Sequence, residues 1–125
     1  MNRRLPTWRD DDRVRDECGI VAVSGTEKAS QLAFLGLYAL QHRGQESCGV
    51  VSIDASGDTH THKAMGLVAD AFDDATLSRL PGSTALGHCR YSTAGTSSLR
   101  NAQPVVVNYR HGNMTLAHNG TLTNA

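Results

Sequence analysis

The composition of the chain changes at Cys18, and that change decides which residues can fold. Residues 1–17 hold five arginines (3, 4, 9, 13 and 15) and five acids (Asp10, Asp11, Asp12, Asp16 and Glu17), with Leu5, Trp8 and Val14 almost the only bulky apolar groups. Such a stretch cannot bury enough apolar surface to offset the entropy of ordering it. The run Cys18-Gly19-Ile20-Val21-Ala22-Val23 that follows is apolar, partly β-branched and too short for a helix, which predicts a buried strand over 18–24. Two readings of the leading segment stay open: a disordered leader, or a propeptide whose removal makes Cys18 the N-terminus. In the second case one residue carries a thiol nucleophile together with an α-amino group. The unperturbed pKa of that amine, about 7.7 to 8.0, suits a general base near neutrality.

Beyond Cys18 the pattern predicts alternating strands and helices. Residues 26–41 have helical length, with Leu32, Phe34, Leu35, Leu37, Tyr38 and Leu40 spread around most of the circumference, so a helix covered on more than one side is expected. After a polar connector from His42 to Glu46 come a strand over 48–53, a turn at Asp54 to Asp58 and a returning hairpin strand over 59–64. Leu67, Val68, Ala71, Phe72, Ala75 and Leu80 recur at near-helical spacing and predict a second helix, ended by Pro81-Gly82. Further strands are expected over 83–91 and 114–118. Between them lie the polar loop 92–101 and a short apolar run over 104–107. Strands interrupted by two helices imply an α+β architecture with helices packed on a sheet.

The 125 residues fit one domain, and 39% hydrophobic residues can furnish its core. Twelve basic and twelve acidic residues cancel, which gives no electrostatic case for nucleic acid or an anionic membrane as partner. Three widely spaced cysteines, at 18, 48 and 89, fit neither a disulfide framework nor a paired-thiolate zinc site, and point to a reducing cytoplasm. No apolar run approaches the roughly 20 residues that span a bilayer, and no secretory signal is evident.

Several residues could do chemistry. Cys18 is the best-placed thiol, whereas Cys48 and Cys89 lie in apolar strand patterns where a free cysteine is usually a small buried hydrophobe. Asn119-Gly120 either supplies hydrogen-bond donors to an oxyanion or forms a hairpin turn. Arg90, near the end of its strand, either clamps a carboxylate through two parallel hydrogen bonds or is an exposed structural arginine. His88 shares a strand face with Arg90 and is expected to be a core or supporting histidine. His60 and His62 also share a face, but no third metal ligand lies near them, and an exposed hairpin is expected. Asp70, Asp73 and Asp74 read as the charged face of a surface helix.

Four ordered pieces turn these alternatives into a pattern: Cys18-Gly19-Ile20-Val21, Leu40-Gln41-His42-Arg43-Gly44-Gln45-Glu46-Ser47, Gly87-His88-Cys89-Arg90-Tyr91-Ser92-Thr93-Ala94-Gly95 and His118-Asn119-Gly120. Over residues 18–125 the chain resembles the N-terminal glutaminase domain of the amidophosphoribosyltransferase family, within the class II glutamine amidotransferases. The resemblance implies an N-terminal-nucleophile hydrolase fold, a four-layer αββα sandwich with two antiparallel sheets between helical layers, here expected to be incomplete. It implies Cys18 as the nucleophile, freed by cleavage after Glu17, and Asn119 and Gly120 as the oxyanion hole. Arg90 and Thr93 would bind the glutamine carboxylate, with Arg43 supporting the pocket.

The activity implied is release of ammonia from glutamine for transfer to 5-phosphoribosyl 1-pyrophosphate, which gives 5-phosphoribosylamine at the start of purine synthesis. The alternatives are another class II amidotransferase, such as glucosamine-6-phosphate synthase, or a non-catalytic domain that keeps the fold. The sequence stops at Ala125 as a new turn begins, so a truncated catalytic region without the phosphoribosyltransferase domain is expected. No cofactor is expected within it; Mg2+, a [4Fe-4S] cluster and a homo-oligomer are implied for a full-length relative. Neither nucleic acid nor a membrane is expected as a partner.

Overall fold

A computed structural model describes residues 18–41, 45–91 and 99–119. The leading segment 1–17, Arg43, Thr93 and Gly120 lie outside the described residues. Strand β1 (Cys18–Ser24) leads to helix α1 (Ala29–Leu40), and β2 (Gln45–Ile53) and β3 (Thr59–Met65) form a hairpin. Two short helices, α2 (Val68–Ala71) and α3 (Asp74–Ser78), precede β4 (Thr84–Tyr91). A 3-10 turn (Leu99–Asn101) and the ribbon β5 (Val105–Tyr109) and β6 (Gly112–Leu116) complete the order. One four-stranded sheet runs β1-β4-β2-β3, and every pairing in it is antiparallel. The α+β class and the antiparallel sheets expected from the sequence are therefore present.

Period-two alternation assigns each strand residue to a face. Helix α1 covers the face that carries Val21, Val50, Ala85, Gly87 and Cys89, and it buries Ala29, Ala33 and Leu37 there. Leu37 lies close to the sheet because β4 offers no side chain beneath it: a Cβ at Gly87 would stand 2.9 Å from Leu37 Cδ1. Phe72, Val68, Leu77 and Leu80 extend this core from the α2–α3 region. Among the described residues α1 is covered on one side only. Leu32, Leu35, Tyr38 and Leu40 are 40–56% exposed, so the expectation of cover on more than one side is not met by the described elements.

The second predicted helix is two. Its break falls at Phe72 and Asp73, both extended, because Asp73 caps a new helix rather than continuing the old one. The Asp73 carboxylate accepts from Thr76 N–H at 2.7 Å, and the Thr76 hydroxyl accepts from Asp73 N–H at 2.8 Å. This reciprocal arrangement satisfies two helix-end groups at once and outweighs the periodicity of the apolar residues. Asp73 is thus a cap, while Asp70 and Asp74 remain exposed on the surface.

The histidines of β3 are not on an exposed hairpin face. His62 is partly buried, bonds the Ala71 carbonyl oxygen through Nε2 at 2.7 Å and packs edge-on against Phe72. His60 Nε2 meets Asp54 Oδ2 at 2.8 Å at the mouth of the hairpin turn. Each ring has its own partner, so the pair forms no metal site.

Candidate functional site

The opposite face of the sheet carries Arg90 and His88 toward one end of β4 and apolar side chains, Ala22, Ile53 and Leu86 among them, toward the other. Cys18 pairs with Arg90 in the β1–β4 register, at one end of both strands, and Ser24 pairs with Thr84 at the other. Six residues separate those ends, or ~20 Å at about 3.3 Å per residue. An apolar cavity of about 320 Å³ lies at the Ser24–Thr84 end, lined by Ala22, Ile53, Leu86 and Thr115 among others. It is remote from Cys18 and Arg90, and it lacks the charged groups that acyl transfer requires.

Arg90 is half-buried. Its Nη1 donates to the Asn101 carbonyl at 3.3 Å, and its Nε lies 3.8 Å from Glu46 Oε2. Glu46 reaches that place because β2 slips register there: Gln45 pairs with Tyr91 and Ser47 with Arg90, leaving Glu46 as the extra residue of a bulge. Bulges re-aim a side chain while the flanking strand stays paired. The Glu46 side chain is only 9% exposed, and its Oε1 has no partner among the described residues. A buried carboxylate is tolerated when a cation stands beside it, which makes Arg90 and Glu46 one electrostatic unit.

Two residues from Arg90, on the same face, His88 is fully buried. Its Nε2 donates to the His118 carbonyl at 3.1 Å, while the His118 N–H donates to Gln103 Oε1 at 2.8 Å. Burial pushes the His88 pKa down, and the neighbouring His118 and Arg90 act in the same direction against the raising effect of the hydrogen bond. The approach of Gln103 depends on Gly49, which pairs with His88 across the strands: a Cβ at Gly49 would overlap the Gln103 carbonyl oxygen. The expected strand 114–118 therefore ends early, at Leu116. His118 leaves it because both its backbone groups are taken by partners on and over the sheet.

Of the six residues singled out from the sequence, three lie within the described part. Cys18 and Arg90 stand opposite each other, and Asn119, exposed, directly follows the pinned His118. Cys48 and Cys89 are paired on β2 and β4 and wholly buried beneath α1, as the apolar pattern predicts. Burial, with Cys89 adjoining, pushes the Cys48 thiol up to about 12, so it holds almost no thiolate near neutrality. Glu46 and Gln103 were not recognised from the sequence as parts of the site. The bulge that delivers Glu46 depends on register, and a single glutamine in a loop carries no periodic signal.

Among the described residues no group of three His, Cys, Asp or Glu could hold a metal ion. No described helix is long and apolar enough to cross a membrane.

No protein-family model matches the chain. Curated relatives do. Amidophosphoribosyltransferase 1, chloroplastic, of Arabidopsis thaliana is 49% identical over 115 residues, covering 92% of this chain and 20% of the relative. The chloroplastic amidophosphoribosyltransferase of Vigna aconitifolia is 51% identical over 115 residues, 92% of this chain and 24% of its own length. The amidophosphoribosyltransferase of Synechococcus elongatus is 49% identical over 115 residues, 90% of this chain and 23% of the relative. The chain thus spans about a fifth to a quarter of the length of these relatives.

Two solved structures share the fold. One is described as the allosteric regulatory enzyme of purine biosynthesis, with a TM-score of 0.75 at 41% identity over 85% of this chain and 23% of the other. The second, glutamine phosphoribosylpyrophosphate amidotransferase from B. subtilis complexed with ADP and GMP, gives a TM-score of 0.72 at 39% identity over 84% of this chain and 22% of the other. Of the four layers that the resemblance implies, the described residues provide helices on one face of a four-stranded sheet and a separate two-stranded ribbon.

Proposed function

We propose, for a chain that belongs to the amidophosphoribosyltransferase family, that residues 18–125 supply the nucleophile and part of the substrate pocket of a glutamine amidase. The observation that carries the reading is the convergence of three elements at one end of the sheet. There β1 begins with Cys18 opposite Arg90, and His118, which precedes Asn119, is tied to His88 two residues along β4. A nucleophile, a cation for a carboxylate and amide donors for an oxyanion are the parts acyl transfer from an amide requires.

In this mechanism residues 1–17 are a propeptide, and cleavage after Glu17 frees the Cys18 α-amino group. The amine takes the thiol proton, directly or through water, and sulfur attacks the glutamine side-chain amide. Asn119 and Gly120 donate to the oxyanion. Arg90, oriented by Glu46 and the Asn101 carbonyl, holds the substrate carboxylate with Thr93 beside it, and Arg43 supports the pocket. Ammonia leaves with the proton returned to it, and water hydrolyses the remaining γ-glutamyl thioester to glutamate. In the full-length protein the ammonia would pass to 5-phosphoribosyl 1-pyrophosphate on a further domain and form 5-phosphoribosylamine. Mg2+, an iron-sulfur cluster and contacts between subunits would fall to that remainder. Cys48 and Cys89, buried side by side and not joined in a disulfide, favour a reducing cytoplasm as its setting.

Intact mass of the full-length protein, before and after treatment with an electrophilic glutamine analogue, tests this reading. We expect a chain beginning at Cys18 that gains one label there. A chain that retains residues 1–17 and takes up no label overturns it.

A further inference from the structure

His88 takes no part in the mechanism above, yet it is the largest polar side chain wholly buried on the site face. A carbonyl oxygen can only accept, so its contact with His118 fixes the proton on Nε2. The ring is neutral, because burial and the nearby Arg90 both disfavour a second proton. That leaves Nδ1 as a buried acceptor without a partner among the described residues. Such an orphan destabilises the fold, and an apolar side chain of similar volume would avoid that cost. What only the imidazole supplies at this place is the Nε2–H directed at the His118 carbonyl.

The other backbone group of His118 is held as well, by Gln103 Oε1, and Gln103 sits where it does because its strand neighbour is Gly49. Gly49 and His88 face each other in the β2–β4 register. One pair of cross-strand residues therefore fixes both polar groups of the residue that precedes Asn119-Gly120. Arg90 lies two positions along the same strand, ~6.6 Å away.

We propose that His88 is a positioning residue for the oxyanion donors. Its Nε2–H anchors the His118 carbonyl and so holds Asn119, the next residue, relative to the strand that carries Arg90. The inference rests on the amidase reading and deepens it. It makes β4 the common ruler for the carboxylate clamp and the oxyanion hole, through Arg90 and His88 respectively.

The test uses the full-length protein and four forms of position 88: wild type, His88→Leu, His88→Gln and His88→Asn. A glutamine amide nitrogen reaches about as far as imidazole Nε2, whereas the asparagine amide falls short. Misplacing a catalytic group by about 1 Å costs up to ~10²-fold, so His88→Leu and His88→Asn should lower glutaminase kcat about 10- to 100-fold. KM for glutamine should stay within about threefold, since Arg90 is untouched. His88→Gln should recover most of kcat. Alkylation of Cys18 by the glutamine analogue should slow in parallel with kcat, while alkylation by iodoacetamide, which needs no oxyanion hole, should not.

Equal kcat in His88→Gln and His88→Asn overturns the inference, as does a loss confined to KM. Should His88→Leu fail to fold, the comparison of Gln with Asn still decides. A wild-type protein that neither releases glutamate nor takes the label overturns the amidase reading and this inference together. Label uptake by wild type, with no dependence on residue 88, overturns the positioning role alone.

Discussion

The two faces of the four-stranded sheet are made from the same strands and do opposite work. Under α1 the face is apolar and closed: Leu37, Val50, Ala85, Cys48 and Cys89 are all at most 1% exposed. On the other face Glu46 lies beside Arg90, and His88 and Gln103 both bond His118, toward the end where Cys18 lies. Strand β4 shows the division residue by residue, with Ala85, Gly87 and Cys89 in the core and His88 and Arg90 toward the site. Adjacent positions thus serve different purposes, and mutations should separate by parity. Those on the closed face should lower stability, and those on the polar face should lower activity.

The largest effect expected on the polar side is at Cys18. Cys18→Ala in the full-length protein should reduce glutamate release on the order of 10⁴-fold or more, as removal of a nucleophile does elsewhere. Its melting temperature should be nearly unchanged. A variant that kept even a few per cent of turnover would show that the site is not centred on that residue. The matching experiment on the closed face is Leu37→Ala. This side chain is fully buried against Gly87, and its truncation should cost about 3 kcal/mol in urea unfolding, within the range for buried leucines. Its KM for glutamine should hold. A loss well under 1 kcal/mol would mean that the core repacks and that the faces are less distinct than their burial suggests.

The closed face was legible in the sequence and the polar face only in part. The strand over 18–24, the β2–β3 hairpin and the burial of Cys48 and Cys89 follow from short apolar runs, turn residues and period-two alternation, all of them local signals. The split between α2 and α3 was missed because a cap at Asp73 competes with apolar spacing, and spacing alone does not record the competition. On the polar face the individual motifs could be read, but their meeting could not. Arg90 beside Cys18 depends on strand order, and Glu46 beside Arg90 depends on a bulge. The clamp on His118 joins residues 15 and 30 positions away through a glutamine and a histidine without periodic signature.

Arg90→Lys sharpens the comparison at a smaller scale. Lysine keeps the charge that Glu46 needs but gives up the planar fork that binds a carboxylate through two parallel bonds. KM for glutamine should rise about 10-fold, equivalent to ~1.4 kcal/mol, with kcat and unfolding free energy little changed. A fall in stability with unaltered KM would recast Arg90 as a structural counter-ion for Glu46.

The smallest effect belongs to the rim where the closed face meets solvent. Asp54 accepts from the N–H groups of Ser56 and Asp58 through Oδ1 and meets His60 through Oδ2. The hydrogen bond with His60, helped by those from the backbone, holds its carboxyl below the ordinary 3.8 against the opposing effect of desolvation. A carboxyl whose folded pKa is depressed adds stability above its unfolded value, and that contribution is lost as the pH falls through the folded value. Wild type should therefore melt slightly above Asp54→Asn at pH 7, and the gap should close as the solution is acidified below 3.8. Because the group is partly open to solvent, the gap at neutral pH should be small. A gap as large as that of Leu37→Ala would mean that the β2–β3 turn, and not the apolar layer beneath α1, limits the stability of the closed face.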